Sequence, residues 1–266
     1  MSYATIFPMN VDAHFHVFNN RLIDEAQARY SVNYSASIDD WLKVANKQQI
    51  SRGIVVQPSF LGFDNSLLLE TIKQNPERLR GVAVVDPNTP RNELLELKQQ
   101  GVRGIRLNLY GDQDPFGTIQ KYGGVIHFLK GLNMHLQIHH DDGLLNDVLL
   151  ALPGGIKIVI DHFGRPLVND EFEKQSDGIN KHQSNLWIKL SAQYRTAKLN
   201  HQALFEYWLK KIGVSKLLWG SDWPHTRFET TQTYEAQMKE FVCLSNSAEL
   251  RKKILSSNPV SLYWAE

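Results

Sequence analysis

Short β-branched or apolar runs recur along the chain at intervals of roughly 25 to 35 residues, each followed by turn residues and then by apolar positions at helical spacing. The strand candidates are residues 10–14, 53–57, 81–85, 104–108, 135–139, 156–160, 186–190 and 216–220. Strand and helix in strict alternation imply a parallel sheet. Eight such units fit a closed (β/α)8 TIM barrel, which typically needs about 250 residues; the chain has 266 and reads as one domain over 1–266. Between the strands, Thr89-Pro90 ahead of Glu93, Leu94, Leu95 and Leu97 reads as a capped amphipathic helix that Gly101 ends. Asp142 ahead of Leu144 to Leu150, with Pro153-Gly154 behind, repeats the unit. Residues 19–37 and 112–124 read as loops at the barrel mouth.

The rival architecture is an open, doubly wound sheet, which periodicity alone does not exclude. That fold places a glycine-rich phosphate turn after its first strand. Here Asp12-Ala13-His14-Phe15-His16 fills that place, which removes the support for a nucleotide cofactor.

Composition narrows the class further. The chain is 42% hydrophobic, and no run approaches the roughly 20 apolar residues of a membrane span. Cys243 is a lone cysteine and the first residues lack a basic, then apolar, leader pattern, so a reducing, cytoplasmic setting is expected. A formal net charge of +1 with interspersed signs gives no basic stripe for nucleic acid. The pair Lys210-Lys211 reads as a helix end. Trp208 and Tyr263 read as core residues before they read as an interface; a homo-oligomer is left open.

The chemistry gathers at one end of the predicted barrel. His14, His16, His139, His140, His162 and His225 all fall at or just past the C-terminal ends of strands, the rim at which such barrels carry their sites. His14 and His16, two apart on a strand, leave on the same side. They can ligate a divalent metal or polarise a carbonyl. Asp222, in Trp219-Gly220-Ser221-Asp222-Trp223-Pro224-His225, ends the last strand where a general base for water belongs, and Trp223 reads as packing. His162 follows the apolar strand 156–160, and alternation from Ile158 and Ile160 sends it inward; Arg165 beside it reads as an anion contact or as a partner of Asp161 or another rim acid. Arg103 and Arg106 are an odd number apart, so only one faces the lumen. Arg106 shares its side with Asn108 and offers a guanidinium fork for a carboxylate. Arg195, after Tyr194, is a second anion contact.

Val11-Asp12-Ala13-His14-Phe15-His16, Gly101-Val102-Arg103-Gly104-Ile105-Arg106, Ile160-Asp161-His162-Phe163-Gly164-Arg165 and Trp219-Gly220-Ser221-Asp222-Trp223-Pro224 together resemble the amidohydrolase-2 family of the amidohydrolase superfamily. Within it the chain is most similar to the 2-pyrone-4,6-dicarboxylate lactonases and related lactonases. The resemblance implies a TIM barrel that opens a small anionic lactone without a metal. Asp222 would activate water while His14, His16 and His162 polarise the carbonyl, and Tyr30, Ser59, Arg106 and Arg195 would hold the substrate, with His139 and His225 as further contacts. Two positions depart from the pattern. Gly111-Asp112-Gln113-Asp114 stands where those lactonases carry a further arginine, and His139 stands where they carry a tyrosine. A histidine on that strand is where metal-dependent relatives place a ligand. The alternative is therefore a mononuclear zinc or manganese hydrolase or decarboxylase using His14, His16, His139 and Asp222; a non-catalytic binding barrel is the remote one.

Overall fold

A computed structural model describes residues 9–22 and 32–265. Its eight parallel strands are β1 (Val11–Phe15), β2 (Arg52–Val56), β3 (Leu79–Ala83), β4 (Val102–Asn108), β5 (His135–His139), β6 (Lys157–Ile160), β7 (Leu186–Leu190) and β8 (Leu217–Trp219). They pair in chain order, each with the next, in a single sheet. The ends of that sheet meet: Asp222 N donates to His14 O and His16 N to Trp223 O, both at 2.8 Å. This closure rules out the open doubly wound alternative and makes the fold a TIM barrel.

Two hydrophobic layers follow from strand alternation. Outward positions such as Ile105, Leu107, Leu136, Ile138, Ile158, Ile160 and Ile188 pack against helix residues including Leu68, Ile72, Leu94, Val125 and Leu129. Inward positions, Val11, Ala13, Ile54, Val56, Val82, Val159, Trp187 and Leu218, fill the lower lumen, joined there by Leu262 and Tyr263 of the C-terminal helix Asn258–Tyr263. Each such aliphatic side chain contributes about 1.5–3 kcal/mol when fully buried. The lumen is therefore a plugged core beneath the rim. Arg103 donates to Tyr263 O at this lower end (3.2 Å), whereas Arg106 and Asn108 rise to the rim cavity.

β1 contains an irregularity that decides where its histidines point. Asp12 pairs with Gly53, but Phe15 pairs with Val55, so β1 spends one residue more than β2 over the same length. Ala13 and His14 therefore both turn toward the lumen, while Phe15 faces out and stacks on Trp41 (4.0 Å between ring centroids). Gly220 permits the closing strand to pass: a Cβ there would lie 2.5 Å from His14 Cβ and 2.9 Å from His14 N.

Asp12 secures the same seam from outside. It accepts from Ser221 N and Oγ, Trp41 Nε1 and Tyr234 OH at 2.6–3.1 Å, joining β1, two helices and the segment just beyond β8.

Several local expectations change. The helix expected after Thr89-Pro90 spans Arg91–Gln99 with Pro90 itself at the N-cap. Asp142 does not cap the helix Leu145–Ala151; it pairs with Arg165 at 2.8 Å. Residues 112–124 are not a loop, because Asp114 Oδ1 accepts from Gly117 N (2.9 Å) and Pro115 occupies the first turn, nucleating the helix Pro115–Lys121. In the 19–37 excursion, a 3-10 turn covers Asn20–Leu22 and Phe18 bridges Ala36; residues 23–31 lie outside the described set. Trp208 is buried, donating to Phe163 O at 3.0 Å, and Lys210-Lys211 do end a helix, His201–Ile212.

Candidate active site

The rim cavity, about 340 Å³, is lined by His16, Ser59, Arg106, Asn108, Tyr110, His139, His162, Arg165, Arg195, Asp222 and Arg227, among others. Four guanidinium groups and one carboxylate line the cavity, with Asp161 and Asp142 behind the wall pairing Arg106 and Arg165. A lining so rich in guanidinium donors suits an anionic ligand.

Asp222 sits at the centre, only 1% exposed, with a left-handed φ of 58° that carries its side chain back over the lumen. Its Oδ2 is fixed by Tyr194 OH (2.5 Å) and Arg195 Nε (2.8 Å). Its Oδ1 faces three imidazole nitrogens: His14 Nε2 at 3.5 Å, His16 Nε2 at 3.6 Å and His162 Nε2 at 3.9 Å. Burial alone would raise this carboxyl, yet the Arg195 guanidinium first, and then the His162 ring, hold it well below the usual carboxylate range. An ionised base results. Burial, and then the adjacent Lys189 ammonium, push the His14 ring down to about 3, and burial pushes His162 and His139 well below the ordinary histidine value.

The expected convergence of the first and last strands is thus present, but the route of His162 differs. Ile158 and Ile160 face outward and Val159 inward. Alternation continued from them would bury Asp161 in the lumen and send His162 out. Asp161 does lie inside; His162 returns to the cavity because its φ is 53°, the start of a left-handed 3-10 turn through Phe163 and Gly164. Its Nδ1 then meets Ser191 Oγ at 2.9 Å.

Of the other candidates, Ser59, Arg106, Arg195 and His139 line the cavity. Arg106 is engaged by Asp161 Oδ2 through Nε (3.3 Å) and Nη2 (3.1 Å). Arg165 lines it too, over the Tyr110 ring (4.8 Å), which in turn stacks on His139 (5.1 Å). His225 does not line the cavity. It is buried behind it, edge-on to Tyr194. His140 is also buried, its Nδ1 on Asp141 O at 2.7 Å. Tyr30 lies outside the described residues. Asp141 and Asp114, not an arginine, organise the 111–114 turn, each accepting a backbone N–H there or just beyond at 2.9 Å.

Sequence reasoning passed over Lys189 and Gln137. Both occupy central lumen positions of β7 and β5, where Lys189 Nζ reaches Gln137 Oε1 (2.7 Å), His14 Nδ1 (3.2 Å) and Asp161 Oδ1 (3.5 Å). The available signal was polarity in the middle of otherwise apolar strands, Leu-Trp-Ile-Lys-Leu and Leu-Gln-Ile, where a buried parallel strand rarely places it. Burial draws the Lys189 ammonium down to about 8, partly offset by Asp161.

Among the described residues, two sets could hold a cation: His14, His16 and Asp222, and His14, Asp161 and His162, with His139 outside both. In the first, the atoms are 3.3, 3.5 and 3.6 Å apart. A tetrahedral ion with bonds of about 2.0–2.1 Å separates its ligands by roughly 3.3–3.4 Å, so these donors fit one in number, type and spacing.

Comparison with known proteins gives the family. A family model described as amidohydrolase matches residues 11–264. The 2-pyrone-4,6-dicarboxylate hydrolase of Comamonas testosteroni is 30% identical over 96% of this chain and 90% of its own length. The 4-sulfomuconolactone hydrolase of Rhizobium radiobacter is 27% identical over 95% and 89%. Among solved structures, a probable 2-pyrone-4,6-dicarboxylic acid hydrolase from Acinetobacter baumannii, with citric acid bound, superimposes with a TM-score of 0.86 at 33% identity, covering 97% of this chain and all of the other. With its strands in barrel order, its rim histidines on one carboxylate and a family match from the first strand to the last helix, the chain belongs to the amidohydrolase-2 family.

Proposed function

We propose that this protein is a hydrolase that opens a small anionic lactone, a cyclic carboxylic ester. The observation that carries the reading is the single Asp222 oxygen facing three imidazoles while its other oxygen is locked by Tyr194 and Arg195. In the reaction, Asp222 takes a proton from water and the water oxygen bonds to the lactone carbonyl carbon. His14 and His162 hydrogen-bond the oxyanion. His16, whose Nδ1–H is committed to Val56 O (2.7 Å), presents an acceptor nitrogen that orients the water. The ring C–O bond then breaks, and the leaving oxygen takes the proton back from Asp222. Arg106, Arg195 and Ser59 line the space for the substrate's carboxylate, and the names of the relatives, both lactone hydrolases, favour that substrate class.

The test is a pH-stat screen of carboxylated and sugar lactones on enzyme of measured metal content. Acid release is expected on a carboxylated lactone, and Asp222→Asn should lower kcat by about 10² to 10⁴-fold, the usual worth of a positioned base. Near-full turnover in that variant would remove Asp222 from the role given it.

The ligand spacing of His14, His16 and Asp222 favours a second reading, a mononuclear metal hydrolase. Held there, a divalent zinc or manganese ion would supply Lewis-acid polarisation of the carbonyl and a more acidic water. Stoichiometric metal in elemental analysis, lost together with activity on chelation, would select this reading.

A further inference from the structure

Lactone opening as written makes no use of Lys189, a charged side chain with no solvent exposure directly beneath His14. Its three neighbours with lone pairs are Gln137 Oε1, His14 Nδ1 and Asp161 Oδ1. An ammonium has three N–H donors and no acceptor, so every donor is used if each neighbour offers a lone pair. Gln137 does: its Nε2 donates to Asp161 Oδ1 at 3.0 Å, which turns its carbonyl oxygen to the lysine. His14 is the variable member. A neutral imidazole carries one N–H, and His14 Nδ1 also lies 3.2 Å from Asp161 Oδ1.

With the proton on Nδ1, His14 would donate to Asp161 and turn the same N–H edge toward the ammonium. Its Nε2 would then carry only a lone pair, 3.3 Å from His16 Nε2 and 3.5 Å from Asp222 Oδ1. His16 has committed its own N–H to Val56 O, so three acceptors would face one another. With the proton on Nε2, Lys189 donates to His14 Nδ1 and His14 donates to His16 Nε2; the acceptor pair that remains, His14 Nδ1 and Asp161 Oδ1 at 3.2 Å, has the Lys189 ammonium within 3.5 Å of both atoms to bridge it. Asp161 loses nothing, because Arg106 and Gln137 already donate to both of its oxygens. The second arrangement thus leaves one acceptor pair with a cation across it, whereas the first leaves three facing acceptors with no proton among them, and buried groups of that kind are rarely left so. The charged groups around the lysine are Asp161 after β6, Arg106 on β4 and Asp12 on β1.

We infer that Lys189 is a positioning residue whose ammonium fixes His14 as the Nε2–H tautomer, making it a donor to the developing oxyanion in place of a lone-pair ligand. The inference rests on the lactone-opening reading for its catalytic meaning, but the tautomer can be read without any substrate.

Long-range ¹H–¹⁵N correlation spectra of the ¹⁵N-labelled enzyme, with His14 assigned by its disappearance in His14→Gln, report the tautomer directly. The wild type should show the Nε2–H pattern. Lys189→Met should move His14 to Nδ1–H, lower kcat on the order of 10²-fold, as loss of one oxyanion donor does, and leave KM unchanged. Lys189→Arg, which keeps a cationic donor, should retain the tautomer and recover most of kcat. Zinc affinity, measured by chelator competition, should rise in Lys189→Met because the His14 lone pair is freed. A wild-type Nδ1–H pattern, or an unchanged pattern in Lys189→Met, would overturn the inference; the wild-type spectrum decides even if that variant fails to fold. Absence of turnover on every lactone would instead count against the function and leave the tautomer result standing.

Discussion

Asp222 is an acid buried among groups that forbid it a proton. Burial opposes its charge, and the Arg195 guanidinium at 2.8 Å does most to restore it. A base whose folded value lies well below the usual carboxylate range stays ionised at neutral pH. The acid limb of kcat/KM should therefore lie below about pH 4, the ordinary value for aspartate. Arg195→Gln removes the guanidinium but leaves the burial, so the limb should move up by at least about one pH unit, and a pH–rate profile measures it. An unmoved limb would assign the depression to the histidines. The site residues on β1 and after β8 were legible because His-x-His and a strand-end aspartate keep their meaning in any barrel. His162 was located correctly for a reason that fails: its inward aim comes from a φ of 53°, which no alternation pattern encodes.

At the scale of elements, the joint between β1 and β8 leaves no room for a side chain at Gly220. A methyl group at Gly220 would press on both the side chain and the backbone of His14, neither of which can yield without moving the site. Gly220→Ala should cost about 1–3 kcal/mol in urea unfolding, as overpacking does, and should lower kcat as well. Gly124, in the helix Gly123–Gly131 with open space around its Cβ position, is the contrast: Gly124→Ala should stabilise by about 0.5–1 kcal/mol and leave kcat alone. All eight strands were readable from periodicity to within a few residues, because a barrel strand buried on both faces is a nearly continuous apolar run. Residues 112–124 were misread because glycine, aspartate and proline signal a turn and a helix start alike; only the Asp114 cap distinguishes them. The extra residue in β1 was invisible because the irregularity exists only in its pairing with β2.

For the molecule as a whole, the neutral histidines set its response to acid. Burial is the leading cause that holds His14 and His135 down to about 3 and His225 and His201 to about 4. An unfolded histidine takes up its proton near pH 6.5, so between that value and the folded values the unfolded chain binds more protons, and stability falls as pH falls. The depressed carboxylates Asp222 and Asp161 act in the same sense at lower pH: their contribution is present above about 3.9 and lost as pH drops through their folded values. The melting temperature should therefore decline steadily from pH 6.5 to 4, and His135→Phe should flatten part of that slope. A constant Tm across the window would mean that these rings are protonated in the fold. The barrel itself was legible in chain length and repeat number, whereas the Lys189, Gln137 and Asp161 network was not, since its members come from three neighbouring strand segments and meet only through the inward aim and register of each.

The seam at which Ser221 grips Asp12 spans 209 positions of sequence. During synthesis the imidazoles of the opening strand emerge long before the carboxylate that completes them. Until that aspartate is in place a nascent chain lacks the base of the proposed reaction, and a fragment cut short of it loses the hydrogen bonds that close the ring of strands together with the chemistry.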